Sequence, residues 1–182
     1  MKILFLVKFY EPFDRGGSEW STHDLAKLLV KKGYKVTILT PNYGAKAKAI
    51  TSGIKIERFP FLKKLKNPKA EITPWWTNNI SWFIYTSLLC VWFVKREKFD
   101  VIHVQSNEFL PAAVITQLLT KKPAVATFRD YQAICNFGFC LWHKAKACNF
   151  RQYLESDFKF FYENYITNKN LIKFIALYIA AI

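Results

Sequence analysis

Three short apolar runs, at residues 3–7, 36–40 and 101–104, are continuous rather than alternating between apolar and polar positions. A strand with one wet face alternates, whereas a strand covered by helices on both faces does not, so these runs call for a parallel sheet between helical layers. Between the first two runs, residues 18–32 set Thr22, Leu25, Ala26, Leu28 and Leu29 at helical spacing, and Gly33 stands where a helix C-cap falls. Strand, helix and strand within residues 3–40 make a right-handed crossover. Further strands are expected at 54–59 and 124–128. Helices are expected at 78–98 and at 108–120, the latter with Leu110, Val114, Ile115, Leu118 and Leu119 on one side. The fold class is α/β: a Rossmann-like parallel sheet flanked by helices.

Composition narrows the functional classes. With 52% hydrophobic and 22% charged residues the chain is not of the disordered or low-complexity kind. The 27 Lys and Arg against 13 Asp and Glu leave a net charge of +14, which calls for an anionic partner: nucleic acid, lipid headgroups or a phosphorylated substrate. Aromatic residues at 18% suggest more apolar surface than a core requires. The apolar start, residues 1–8, is broken by Lys8, runs on to Glu11, Asp14 and Arg15, and has no small-residue cleavage site; it reads as a buried strand rather than a leader. The longest near-apolar stretch, 80–94, falls short of the roughly 20 residues that span a bilayer. The 4 cysteines are then expected reduced, in the cytosol.

The first candidate site is the loop after the first strand, where Gly16, Gly17, Ser18 and Glu19 open the next helix at the carboxyl end of the sheet. Adjacent glycines allow close approach of a ligand, and the amides of a helix start attract phosphate; an ordinary glycine turn would look the same. A dinucleotide site would need G-x-G-x-x-G and an acidic residue ending the second strand, and Gly16-Gly17-Ser18 with Thr40-Pro41 supplies neither. Beyond Asp130, residues 131–150 have no regular period and read as a long loop. From Tyr153 the helical pattern returns and ends in the apolar residues 174–182 without a cap, which suggests part of a longer polypeptide.

These features together resemble the family 4 glycosyltransferases. The resemblance rests on the strand at 2–7, Pro12, Gly16-Gly17-Ser18-Glu19, the segments 25–29 and 33–40, and the strand at 99–106. It also rests on Thr127-Phe128-Arg129-Asp130-Tyr131 followed by Cys135, similar to a segment often written T-x-H-D-Y-W-x-x-C. It covers roughly residues 1–150. It implies the N-terminal, acceptor-side half of a GT-B fold, whose second domain binds the nucleotide-sugar and carries an E-x7-E segment. It further implies sugar transfer with retention of anomeric configuration, without metal or a permanently bound cofactor, to a glycan or lipid-linked acceptor, as in polysaccharide biosynthesis. The second domain is absent from these residues, so this chain alone is expected to be inactive.

Within the matching segment, Arg129 stands where the family commonly has a histidine lining the cleft. Arginine cannot act as a base, but its fixed charge suits clamping a phosphate. Asp130 beside it would orient Arg129 or a sugar hydroxyl, or serve as a helix cap. Arg129 and Asp130 are the catalytic candidates; Gly16, Gly17, Ser18, Glu19, His103 and Tyr131 are the substrate-binding ones. His103, on the ligand side of the sheet, either bonds the acceptor or satisfies polar groups of the core.

Cys135, Cys140, His143 and Cys148 form the most metal-like cluster, yet their spacing is not that of a standard zinc motif and no metal is expected. Cys90 reads as core. Lys63, Lys64, Lys66 and Lys69, followed by Trp75, Trp76, Trp82, Phe83, Tyr85, Trp92 and Phe93, place charge beside aromatics as at a membrane interface. This adds peripheral docking on the inner face of the cell membrane to the expectations, against the plainer reading of a solvated loop before a core helix. No RRM, KH or helix-turn-helix pattern supports nucleic acid. The alternative to an enzyme domain is a non-catalytic anion-binding Rossmann-like module at a membrane surface.

Overall fold

The computed structural model describes residues 1–67, 70, 72 and 76–129. Residues 1–129 form one compact unit. Its elements are β1 (Lys2–Leu6), α1 (Gly17–Lys31), β2 (Lys35–Pro41), β3 (Lys48–Thr51), β4 (Ile54–Phe59), α2 (Ile80–Glu97), β5 (Val101–Val104), a 3-10 turn (Asn107–Phe109), α3 (Leu110–Thr120) and β6 (Ala124–Ala126). The six strands form one sheet in the order β3-β4-β2-β1-β5-β6. β4, β2, β1, β5 and β6 are parallel, and register pairs Phe5 with Ile38 and His103, so β1 is central. Chain reversal beside β1 makes its two flanks a switch point, the usual place for a ligand in such sheets.

The continuous apolar runs do what their pattern demands. Leu4 and Leu6 enter one core layer with Trp82, Cys90, Phe93 and Phe109, and Ile3, Phe5 and Val7 enter the other with Ala26, Ile38 and Ile56. The first layer lies under α2 and α3, the second under α1. Cys90 is fully buried, and burial pushes its thiol up to about 12. A third cluster, Phe9, Phe13, Tyr43 and Ile72, seals the loops over the carboxyl edge of β1 and β2.

The structure departs from the sequence reading in four places. The sheet is not wholly parallel: β3 pairs antiparallel with β4 through a turn in which Ser52 and Gly53 both have positive φ (52° and 77°). The last strand ends at Ala126 rather than at 128. Leu28, counted in the buried stripe of α1, is exposed. On α3 the stripe is turned outward. Val114, Ile115, Leu118 and Leu119 are exposed, while Ala112, Ala113 and Thr116 are buried. The reason is packing distance: small residues let α3 sit close to its neighbours, and Thr116 satisfies its hydroxyl on the Ala112 carbonyl at 2.6 Å. On α2, Thr86 and Ser87 are likewise buried and bonded to the carbonyls of Trp82 and Phe83, beside the large buried residues Trp82, Phe93 and Val94.

Candidate functional site

The carboxyl edge of β1, β5 and β6 gathers the described candidates. Gly16 caps α1 with extended backbone, φ 171°, and a Cβ on Gly16 or Gly17 would meet nothing within 4 Å. Neither glycine is there for packing; both leave open space above a helix start. The helical ladder begins with the Trp20 amide on the Gly16 carbonyl at 3.1 Å, so the amides of Gly17, Ser18 and Glu19 have no acceptor within the helix. Glu19 turns back to accept from the Gly16 amide at 3.1 Å, which fixes the first turn. Three outward donors at the positive end of a helix dipole make an anion cradle.

Beside this cradle a row of polar side chains crosses the sheet on the α1 side. Thr22, on α1, donates to the Ser18 carbonyl at 2.7 Å and lies 3.2 Å from Gln105. The amide nitrogen of Gln105 is 3.0 Å from His103 Nε2, and the same ring nitrogen is 2.8 Å from Thr127 Oγ1. The His103 ring packs edge-on to Phe5, with centroids 4.8 Å apart. Burial, and then the charge of Arg129, pull His103 below its ordinary value, so the ring is neutral near pH 7. The structure therefore engages His103 within the row.

Arg129 ends the row two residues beyond Thr127 and is exposed. Partial burial lowers its proton affinity, while the charge of Glu19 raises it. Glu19, in the first turn of α1, and Arg129, beyond β6, thus act on each other. Asp130, Tyr131, Cys135, Cys140, His143 and Cys148 lie outside the described residues. Among the described residues no group of His, Cys, Asp and Glu is arranged to hold a metal ion.

Several polar groups of this edge were not anticipated. Lys8 pairs with Glu108, the Lys8 amide donates to Ser106 Oγ at 2.9 Å, and Arg15 stacks over Phe9 at 3.8 Å while donating to the Ala70 carbonyl. Gln105 had a signal, its period-two spacing from His103; Thr127, Lys8, Glu108 and Arg15 had none before the strands were known to be neighbours. Of the aromatics expected at a membrane, Trp82 and Phe93 are core, and Tyr85 donates to the Pro60 carbonyl at 2.9 Å. Lys69 and Trp75 lie outside the described residues. No described helix is long and apolar enough to cross a membrane.

An open-edged, largely parallel α/β sheet flanked by helices defines a Rossmann-like fold. Residues 15–169 match the sequence profile of Glycosyltransferase Family 4, and the chain belongs to that family, as the N-terminal domain of a GT-B glycosyltransferase. Among solved structures, sucrose-phosphate synthase from Thermosynechococcus elongatus superposes with a TM-score of 0.52 at 10% identity, over 88% of this chain and 40% of that one. A glycosyltransferase from Rickettsia africae ESF-5 gives 0.47 at 16% identity, over 71% and 30% respectively. MurG from Acinetobacter baumannii gives 0.41 at 12%, over 69% and 33%. The chain thus spans 30% to 40% of these proteins, and what the first of them shares with it is the fold. No curated protein matches the chain.

Proposed function

We propose that this chain is the acceptor-side domain of a retaining glycosyltransferase, which takes a nucleotide-sugar as co-substrate and passes the sugar to a glycan or lipid-linked acceptor. The observation that carries the reading is that Arg129 feels the charge of Glu19, in the first turn of α1, where the amides beside Gly16 and Gly17 have no acceptor within the helix. As the sugar leaves its diphosphate, negative charge builds on phosphate oxygens. Fixed donors aimed at that charge lower the barrier without any proton transfer of their own. Arg129 is such a donor, and the row from Thr22 to Thr127 holds the backbone that presents it.

Turnover of the full-length protein tests this. Arg129→Ala should lower kcat/KM by about 100-fold, with partial recovery in Arg129→Lys. Gly17→Val, whose Cβ meets nothing within 4 Å, should cost activity with no loss of thermal stability. Unchanged kinetics in both variants would remove the edge from catalysis. Nucleotide-sugar binding without transfer would favour the non-catalytic module instead.

A further inference from the structure

We infer that Trp20, in the first turn of α1, is a stacking platform for a neutral pyranose unit of the acceptor, with the Asp14 and Asp24 carboxylates accepting from its hydroxyl groups. Resting on the acceptor-side reading above, this commits the acceptor to a glycan at the point of contact.

Trp20 is 62% exposed, yet its ring is not loose. The indole N–H donates to Asp14 Oδ2 at 3.0 Å, from the loop that leads into Gly16, and the Trp20 amide makes the first bond of the helix on the Gly16 carbonyl. Backbone and ring are therefore both anchored beside the open space over Gly16 and Gly17. An anchored ring loses little freedom when a ligand settles on it, so the cost of ordering is met before binding. The anchor also occupies the only donor of the indole, which leaves an apolar surface to the ligand. Leu28, the other large apolar residue exposed on α1, lies two turns further on, about 12 Å along the axis, and has no polar anchor.

Charge decides what settles there. Glu11, Asp14, Glu19 and Asp24 fall within residues 11–24 of a chain that has only 13 acidic residues in all. The one Lys or Arg of that stretch, Arg15, is turned away: its guanidinium stacks over Phe9 and donates to the Ala70 carbonyl. Glu19 is engaged with the Gly16 amide and with the charge of Arg129, so the carboxylates left beside the ring are Asp14 and Asp24. Asp24 is exposed one helical turn beyond Trp20, where Cβ atoms stand about 6 Å apart. Among the described residues Asp14 Oδ1 has no partner. Nearby carboxylates repel a phosphate on the ring, and the net charge of +14 repels a cation at longer range. A neutral pyranose suits both: its C–H groups lie on the aromatic surface, and its hydroxyl groups donate at the rim to carboxylates that only accept. Glu19, whose charge acts on Arg129, is the residue before Trp20, so the platform adjoins the candidate edge.

NMR of the full-length protein labelled with 15N-tryptophan tests the platform, the Trp20 indole signal being assigned by its loss in Trp20→Phe. The probes are maltotetraose, cellotetraose, mannotetraose and tetra-N-acetylchitotetraose, with glucosamine and inorganic phosphate for comparison. The Trp20 signal should move with at least one neutral tetrasaccharide and not with phosphate. Calorimetry with that saccharide should show affinity about tenfold lower in Trp20→Ala, and severalfold lower in Asp14→Ala, which frees the ring. Trp20→Ala should keep the parent's circular dichroism and thermal midpoint, because the ring is mostly in water. A Trp20 signal unmoved by every tetrasaccharide, or moved by glucosamine alone, would overturn the inference. So would a lowered midpoint in Trp20→Ala with saccharide affinity unchanged, which would make the ring a clamp for the loop. Binding is read without turnover, which keeps the two readings apart. Saccharide held at Trp20 by a protein that transfers no sugar would sink the catalytic reading alone, and an active transferase whose Trp20→Ala variant binds saccharide as the parent does would sink the platform alone.

Discussion

His103 shows how one residue ties the sheet to its ligand edge. Its ring is held between Phe5, Gln105 and Thr127, and burial first, Arg129 second, disfavour its protonated form. The folded value therefore lies below the ordinary 6.5, and the unfolded chain takes up the proton first. The stabilising contribution is complete above that value and is lost as pH falls through it toward the folded one. Replacing His103 by Gln should flatten the decline in thermal midpoint between about pH 7 and pH 5. NMR titration supplies the second reading: removing the charge with Arg129→Ala should raise the midpoint of the His103 ring. An unmoved midpoint would mean that the guanidinium does not act on the ring and is not aimed across the row.

At the scale of elements, the hairpin of β3 and β4 was hidden by its brevity. β3 is four residues with no apolar run, and its only signal was the Ser52-Gly53 pair between Thr51 and Ile54. Gly53, at φ 77°, would place a Cβ 2.9 Å from Val30 Cγ1, so Gly53→Ala should cost more than about 1 kcal/mol in denaturant unfolding. Ser52→Asn, which suits positive φ better, should stabilise by about 0.5 kcal/mol. The parallel strands were legible because burial on both faces removes polar residues from them, and α1 because its cap and stripe agree. The inward side of α3 was not. Periodicity locates a stripe of large apolar residues but cannot say whether that stripe or the small residues opposite it meet the sheet. The same limit applied to the site: Gly16, Gly17 and Arg129 stood out as loop residues after strands, while the row linking Thr22, Gln105, His103 and Thr127 exists only once register sets β5 beside β6.

Over the whole molecule the surplus of positive charge works against compactness. The 27 basic residues outnumber the 13 acidic ones, and among the described residues the ion pairs draw on few carboxylates, chiefly Glu57, Glu97 and Glu108. Most lysines therefore repel one another across solvent, a force that salt screens over about 10 Å at 0.1 M. Unfolding spreads these charges apart, so the repulsion weighs more heavily on the folded state. Raising NaCl from about 20 mM to about 200 mM should accordingly raise the thermal midpoint by a few degrees. Over the same interval, binding of an anionic partner such as a nucleotide-sugar should weaken, because there the charges face an attractive partner rather than one another. The opposite signs separate the two roles of one charge excess. If salt lowered the midpoint instead, the described ion pairs would outweigh the repulsion, and the surplus would have to be neutralised within the protein rather than held for an anionic partner.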